Sequence, residues 1–143
     1  MKLFLDANIL VSILLKEHNY FLSSAKILSL ADKPRYTISV TSVCIAIAYY
    51  YAEKNLGRRE AKRRIKILCD NLNIIACDEK EVTSALANNK VLDVEDGIEY
   101  YAALHADCDC IITNDLKDFY FSDIEVLNAD DFLIKYMNNS NYN

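Results

Sequence analysis

No stretch of this 143-residue chain approaches the uninterrupted apolar length that a membrane span requires, so a transmembrane helix is excluded at the outset. Glycine occurs twice (Gly57, Gly97), proline once (Pro34) and tryptophan not at all. There is no internal repeat and no linker long enough to divide the chain, so one domain is expected. Met1 and Lys2 lead at once into an apolar strand, without the charged region, apolar core and small-residue cleavage site of a secretory leader, and a cytoplasmic location is expected. The five cysteines (Cys44, Cys69, Cys77, Cys108, Cys110) contain no C-x-x-C pair, and their odd number suits a reducing compartment rather than a disulfide framework. They read as small buried residues. Cys108 and Cys110 are the one close pair, and with His18 and His105 isolated in sequence no four-ligand zinc set is expected.

What is present is an alternation of short apolar runs with longer helix-like segments, the pattern of an α/β protein with a mainly parallel sheet covered on both faces. Strands are predicted at 2–5, 36–40, 73–76, 110–113 and 125–127, and helices at 7–16, 21–31, 42–54, 58–71, 80–87 and 94–106. Pro34 breaks the chain after the second helix, and Gly57 is placed at a left-handed C′ position after the third. Asp130 is assigned as the cap of a last helix spanning 132–136. The domain is drawn as 1–137, with 138–143 as a polar tail.

The net charge is -5, yet its distribution is uneven. Arg58, Arg59, Lys62, Arg63, Arg64 and Lys66 fall in one segment, and at helical spacing all but Arg64 lie within an arc of about 140°. Ala61, Ile65 and Leu68 line another side. This is either a solvated helix face or a surface that meets RNA phosphates or an acidic partner.

Acids gather where a parallel sheet collects its ligands. Asp6 follows the run Leu3-Phe4-Leu5, Asp96 lies near the head of a helix, and Asp115 follows Ile111-Ile112-Thr113. Open α/β sheets bind ligands at the carboxyl ends of their strands, so these three are expected in one pocket. Clustered carboxylates repel and must take up protons or share a cation. Hard cations such as Mg²⁺ and Mn²⁺ prefer carboxylate and water oxygens and suit a phosphodiester substrate. Asp118 is a further candidate ligand, acting through water, and Asn8 and Thr113 are supporting residues. Each acid alone also reads as a helix cap or loop charge: Asp6 before the first helix, and Asp93 before Glu95 and Asp96 at the start of another. Gly97 leaves room there for close packing or for substrate backbone.

Asp6-Ala7-Asn8, Glu95-Asp96-Gly97-Ile98-Glu99-Tyr100-Tyr101-Ala102 and Ile111-Ile112-Thr113-Asn114-Asp115 with Asp118-Phe119 together resemble the PIN domain, including the VapC-type toxins, over nearly the whole chain. That resemblance implies a three-layer α/β/α sandwich and Mg²⁺- or Mn²⁺-dependent RNA cleavage leaving 5′-phosphate and 3′-hydroxyl ends, with Asp6, Asp96 and Asp115 as the matching acids. It also implies a small antitoxin that places a basic side chain in the acidic pocket. PIN nucleases usually carry a glutamate on the helix after the second strand. The matching position here is Ile47, and Glu53 lies nearly two turns further along. The alternative is therefore a catalytically weakened PIN fold that binds RNA or protein. Two other doubly wound enzymes fit less well. A haloacid-dehalogenase-like phosphatase would need an aspartate at Asn8. A response-regulator receiver would use Asp78, leaving Asp96 without a role. The runs Tyr49-Tyr50-Tyr51 and Tyr100-Tyr101 read as core and helix-packing residues, some of them lining a homodimer interface, rather than as base-stacking platforms.

Overall fold

Leu3, Phe4 and Leu5 are fully buried because their strand, β1 (Lys2–Leu5), runs through the middle of the sheet. The structure is a computed structural model and describes residues 1–137; the tail expected at 138–143 lies outside the described residues. After β1 come α1 (Ala7–Leu14), α2 (Phe21–Leu28), β2 (Thr37–Thr41), α3 (Ser42–Leu56), α4 (Arg58–Cys69), β3 (Asn73–Ile75), α5 (Glu79–Ala87), α6 (Val94–His105), β4 (Cys110–Ile112), β5 (Glu125–Leu127) and α7 (Ala129–Met137). Short 3₁₀ turns occupy Ser29–Asp32 and Leu116–Phe119.

The strands form a single parallel sheet in the order β3-β2-β1-β4-β5. Phe4 is in register with Ser39 on one side and Ile111 on the other. From β1 the chain moves outward through β2 to β3, then returns to build β4 and β5 on the opposite side. That reversal beside β1 opens the crevice in which α/β proteins bind ligands. Helices α1, α3 and α4 pack in succession, α5 packs on α6, and α2 meets α1 and α7. This is the α/β/α arrangement expected from the alternating pattern.

Several local expectations shift. The second strand begins at Thr37 and runs through Thr41, whose hydroxyl accepts from the Cys44 backbone N–H and starts α3. Gly57 has φ 79° and ψ 160°, so it turns the chain with a positive φ, although not in the left-handed helical region. That conformation is essentially reserved for glycine, and it lets α3 end and α4 begin at one residue. The last helix starts earlier than expected. Asn128, rather than Asp130, accepts from the Asp131 N–H at 2.8 Å and supplies the cap. Asp78 and Glu81 form a capping box on α5, which accounts for Asp78 without a phosphoacceptor role. Cys44, Cys108 and Cys110 are buried as expected, but Cys69 and Cys77 are only partly so. Both lie near the chain's approach to and exit from the exposed edge strand β3.

Gly97 serves packing between α5 and α6. A Cβ at this position would stand 2.4 Å from Val91 Cγ1 and 3.1 Å from the Ala85 Cβ. Gly97→Ala should therefore destabilise the fold by about 1–2 kcal/mol, the overpacking penalty less the alanine helix preference. A denaturant titration checks this, and an unchanged or raised midpoint would show that Val91 yields freely.

Candidate active site

The turn from β1 into α1 places Asp6 at the crevice and holds it there. Its backbone N–H continues the ladder by donating to the Ile112 carbonyl at 3.0 Å, while its side chain caps α1 by accepting from the Asn8 N–H. The carboxylate is 5% exposed and accepts two further hydrogen bonds at Oδ2, from Asn8 Nδ2 at 2.6 Å and from Thr113 Oγ1 at 2.6 Å. The Thr113 hydroxyl, just past β4, in turn accepts from Asn8 Nδ2 and from the Asp115 N–H. Asn8 Oδ1 closes the network by accepting from the Asn114 N–H at 3.1 Å. Capping and site-building are thus one structure: the residue that starts α1 is also stitched to the end of β4.

Asp6, Asp96, Asp115 and Asp118 all line one pocket of about 450 Å³ at this edge, with Asp93 and Glu95 beside them. Asp93 caps α6 by accepting from the Glu95 N–H at 2.9 Å, and Asp96 lies one turn into that helix. Asp115 and Asp118 are exposed at the rim. Among the described residues, no lysine, arginine or histidine lines the pocket. The charges show it. Burial raises the Asp6 carboxyl, opposed by its hydrogen bonds from Thr113 and Asn8. Asp96 is pushed up to about 7, first by burial and then by the charges of Asp6, Asp93, Asp118 and Glu95. Glu95 and Asp118 are also raised, each by burial first and then by a neighbouring aspartate.

The expectation of a shared pocket is met, but a finished coordination sphere is not present. Among the described residues, no group of three or more His, Cys, Asp or Glu side chains is set to hold a metal ion. Mutual repulsion favours such an open ring. The donor chemistry nevertheless fits a hard divalent cation: the lining acids offer carboxylate oxygens, with no thiol or imidazole among the lining groups.

Ile47 and Tyr51 of α3 line the same pocket. The exposure of Tyr50 and Tyr51, 59% and 46%, corrects their assignment as core residues. α3 buries Cys44, Ala48 and Ala52 instead, so Tyr50 falls on its outer side, while Tyr51, two turns after Cys44, stands at the pocket mouth. Tyr100 is buried, as expected. Glu53 pairs with Arg58 at 3.0 Å, away from the acids. The basic residues of α4 do not line the pocket, and their charge is partly neutralised by ion pairs of Arg58 with Glu53, Arg63 with Glu60 and Lys66 with Asp70. Among the described residues, no ion pair involves Arg59 or Lys62, both of which are exposed. Arg64, off that arc, donates to the Leu14 carbonyl at 2.7 Å and fastens α4 to the end of α1.

One acid escaped the sequence reading. Glu99, on α6 one turn beyond Asp96, is completely buried, and neither of its carboxylate oxygens has a hydrogen-bond partner among the described residues. Burial, then the charge of Asp6, drives its carboxyl well above the usual range. The available signal was an acid placed directly beside Tyr100 and one turn from Ala102 and Ala103 on the buried side of a helix.

Comparison with known proteins agrees with this architecture. Ribonuclease VapC1 of Aquifex aeolicus (strain VF5) is 33% identical over 138 residues, spanning 92% of each chain. The fold superposes with a TM-score of 0.70 on VapBC2 from Rickettsia felis, solved bound to a DNA fragment from its promoter, at 19% identity over 90% of this chain and 98% of that one. For VapBC-1 from nontypeable Haemophilus influenzae the TM-score is 0.71 at 17% identity, over 91% and 99% of the two chains. FitAcB from Neisseria gonorrhoeae gives 0.65 at 14% identity, over 89% and 97%. The profile of the PIN domain matches residues 2–117, a span that contains the whole acidic pocket, and the chain belongs to the PIN domain family.

Proposed function

We propose that this protein is a divalent-metal-dependent endoribonuclease of the VapC kind, the toxin of a toxin–antitoxin pair, with residues 1–137 as its catalytic domain. The observation that carries the reading is a pocket where carboxylates from three separated chain segments meet at the sheet's carboxyl edge without a lining basic group. Asp6, Asp96 and Asp115 would hold Mg²⁺ or Mn²⁺, with Asp118 at the rim. A cation so held contributes polarisation of a phosphodiester oxygen and activation of water. The chain's own residues supply position. Asn8 and Thr113 fix the Asp6 carboxylate in one orientation, and Asp96, pushed up to about 7 without metal by burial and then by its acidic neighbours, would lose its proton on taking up the cation. Tyr51, exposed at the pocket, offers a ring against which an RNA base stacks, and Arg59 and Lys62 are free to meet phosphates beyond it.

The reading is tested by incubating purified protein with mixed single-stranded RNA. Cleavage should require added Mg²⁺ or Mn²⁺, stop on chelation, and leave 5′-phosphate and 3′-hydroxyl ends. Activity that survives exhaustive chelation would sink it. Ile47 at the pocket favours the second reading, a PIN fold that binds RNA or protein without cutting, and RNA retention without cleavage would support that reading. Inhibitory partners for such a pocket are small proteins that insert an arginine or lysine among the acids. Co-expression with a short neighbouring open reading frame, followed by co-purification, tests that arrangement. Light scattering of the isolated protein tests for the homodimer. Among the described residues no helix is long and apolar enough to cross a membrane.

A further inference from the structure

The acids of the pocket rim leave one carboxylate unexplained. Glu99 is fully buried, the groups within its reach are the Asp6 carboxyl and the Cys44 thiol, and no stronger donor meets either of its oxygens among the described residues. Buried polar groups are almost always hydrogen-bonded, and an orphan of this kind in a native fold calls for a water, an ion or a functional role. Its surroundings narrow the choice. On α6, positions three apart project on the same side, so Asp96 and Glu99 share a face, and both lie within the field of Asp6. Across from them on α3, Cys44 is buried next to Glu99, with its thiol paired to Thr41 Oγ1 at 3.1 Å. Ile47 stands one turn further along α3, at the pocket. The α3 side of the site therefore presents a thiol, a hydrocarbon and the Tyr51 phenol, and no carboxylate for a hard cation. The α6 side presents Glu95 and Asp96 at the pocket and Glu99 buried one turn further on.

We propose that Glu99 is a ligand of the divalent-metal site, supplying from α6 the carboxylate oxygen that α3 does not offer at Ile47. On this arrangement Asp96 and Glu99, one turn apart on α6, would each offer an oxygen to a cation held at Asp6. A cation held between Glu99 and Asp6 would offset the repulsion of the two carboxylates. The inference rests on the metal-dependent reading above, and its test separates the two.

Mn²⁺ binding is measured by calorimetry on the metal-free full-length protein, on Glu99→Gln and on Glu99→Asp, with circular-dichroism melts confirming that each is folded. Glu99→Gln keeps the shape and removes the anionic oxygen, and its Mn²⁺ affinity should fall by about tenfold or more. Glu99→Asp keeps the charge on a shorter stem and should fall between the parent and Gln. Should Glu99→Gln not fold, Glu99→Asp alone decides, and parent-like affinity in it overturns the proposal. Crystals grown with Mn²⁺ should show an anomalous peak at bonding distance from a Glu99 oxygen. A folded Glu99→Gln that binds Mn²⁺ like the parent, or an ion seated on Asp6 and Asp96 with Glu99 out of reach, overturns the role of Glu99 and leaves the metal site standing. A parent that takes up no Mn²⁺ overturns both.

Discussion

Asp96→Asn should abolish metal-dependent cleavage, lowering it more than about 100-fold, because it removes a charged oxygen donor where even indirect supports of a metal typically matter 10–100-fold. The same substitution should make the metal-free protein more stable. In the parent, Asp96 titrates at about 7 against an ordinary value of 3.8, so the folded state holds its proton more tightly than the unfolded chain does. Stability from this group is complete below the unfolded value and is lost as pH rises through about 7. The metal-free parent is therefore expected to melt higher at about pH 5 than at about pH 8, by roughly 1–2 kcal/mol once the half-exposure of Asp96 is discounted. In Asp96→Asn that slope should be shallower. Losing activity while gaining metal-free stability at neutral pH is a pair of outcomes that a merely misfolded variant cannot produce. Undiminished cleavage by a carefully purified Asp96→Asn sample would place the chemistry at another site.

Ile47→Glu should act in the opposite sense. Ile47 is half-buried and faces the acids, so a glutamate there joins a ring already short of positive charge. Without metal the variant should lose about 1–3 kcal/mol, through desolvation of the new carboxyl and its repulsion from Asp6 and Asp96. With Mn²⁺ the extra oxygen should tighten binding, and a ligand at a hundred times its Kd already stabilises by about 2.7 kcal/mol. The thermal shift between metal-free and Mn²⁺-saturated protein should accordingly be larger in Ile47→Glu than in the parent. Equal shifts in two folded proteins would mean that position 47 does not take part in metal binding.

The elements most legible in the sequence were those with two independent signals. β1 announced itself by an unbroken apolar run and by the aspartate that follows it, and the structure places both as expected. α4 was readable from its basic arc and from Arg64 falling outside it, and Arg64 does turn inward to Leu14. Helix caps were harder, since Asn128 and Asp130 are both competent residues and the choice depends on where β5 releases the chain. The tyrosines of α3 misled for a related reason. In a helix dense with apolar letters, the buried face is chosen by small residues, Ala48 and Ala52, that allow close approach to α1 and α4. The ring of Tyr50 is displaced outward and that of Tyr51 to the pocket mouth. Glu99 was hidden by its company: beside Glu95 and Asp96 it reads as one more charge at a helix start, and only the sheet shows that it points inward.

The hydrogen bond from Thr113 to Asp6 joins residues 107 positions apart, and β4, which carries Thr113 to its place, is the fourth strand to be made yet pairs directly with the first. A ribosome delivers Asp6 107 residues before Thr113. Until that later segment is made, Asp6 is held by its local partner Asn8 alone and has neither Thr113 nor Asp115 beside it. Long-range parallel pairing of this kind forms late, after the loop between the strands is complete. For a protein whose proposed substrate is RNA, and which is born in the midst of RNA, this strand order keeps Asp6 and Asp115 apart until β4 has been made.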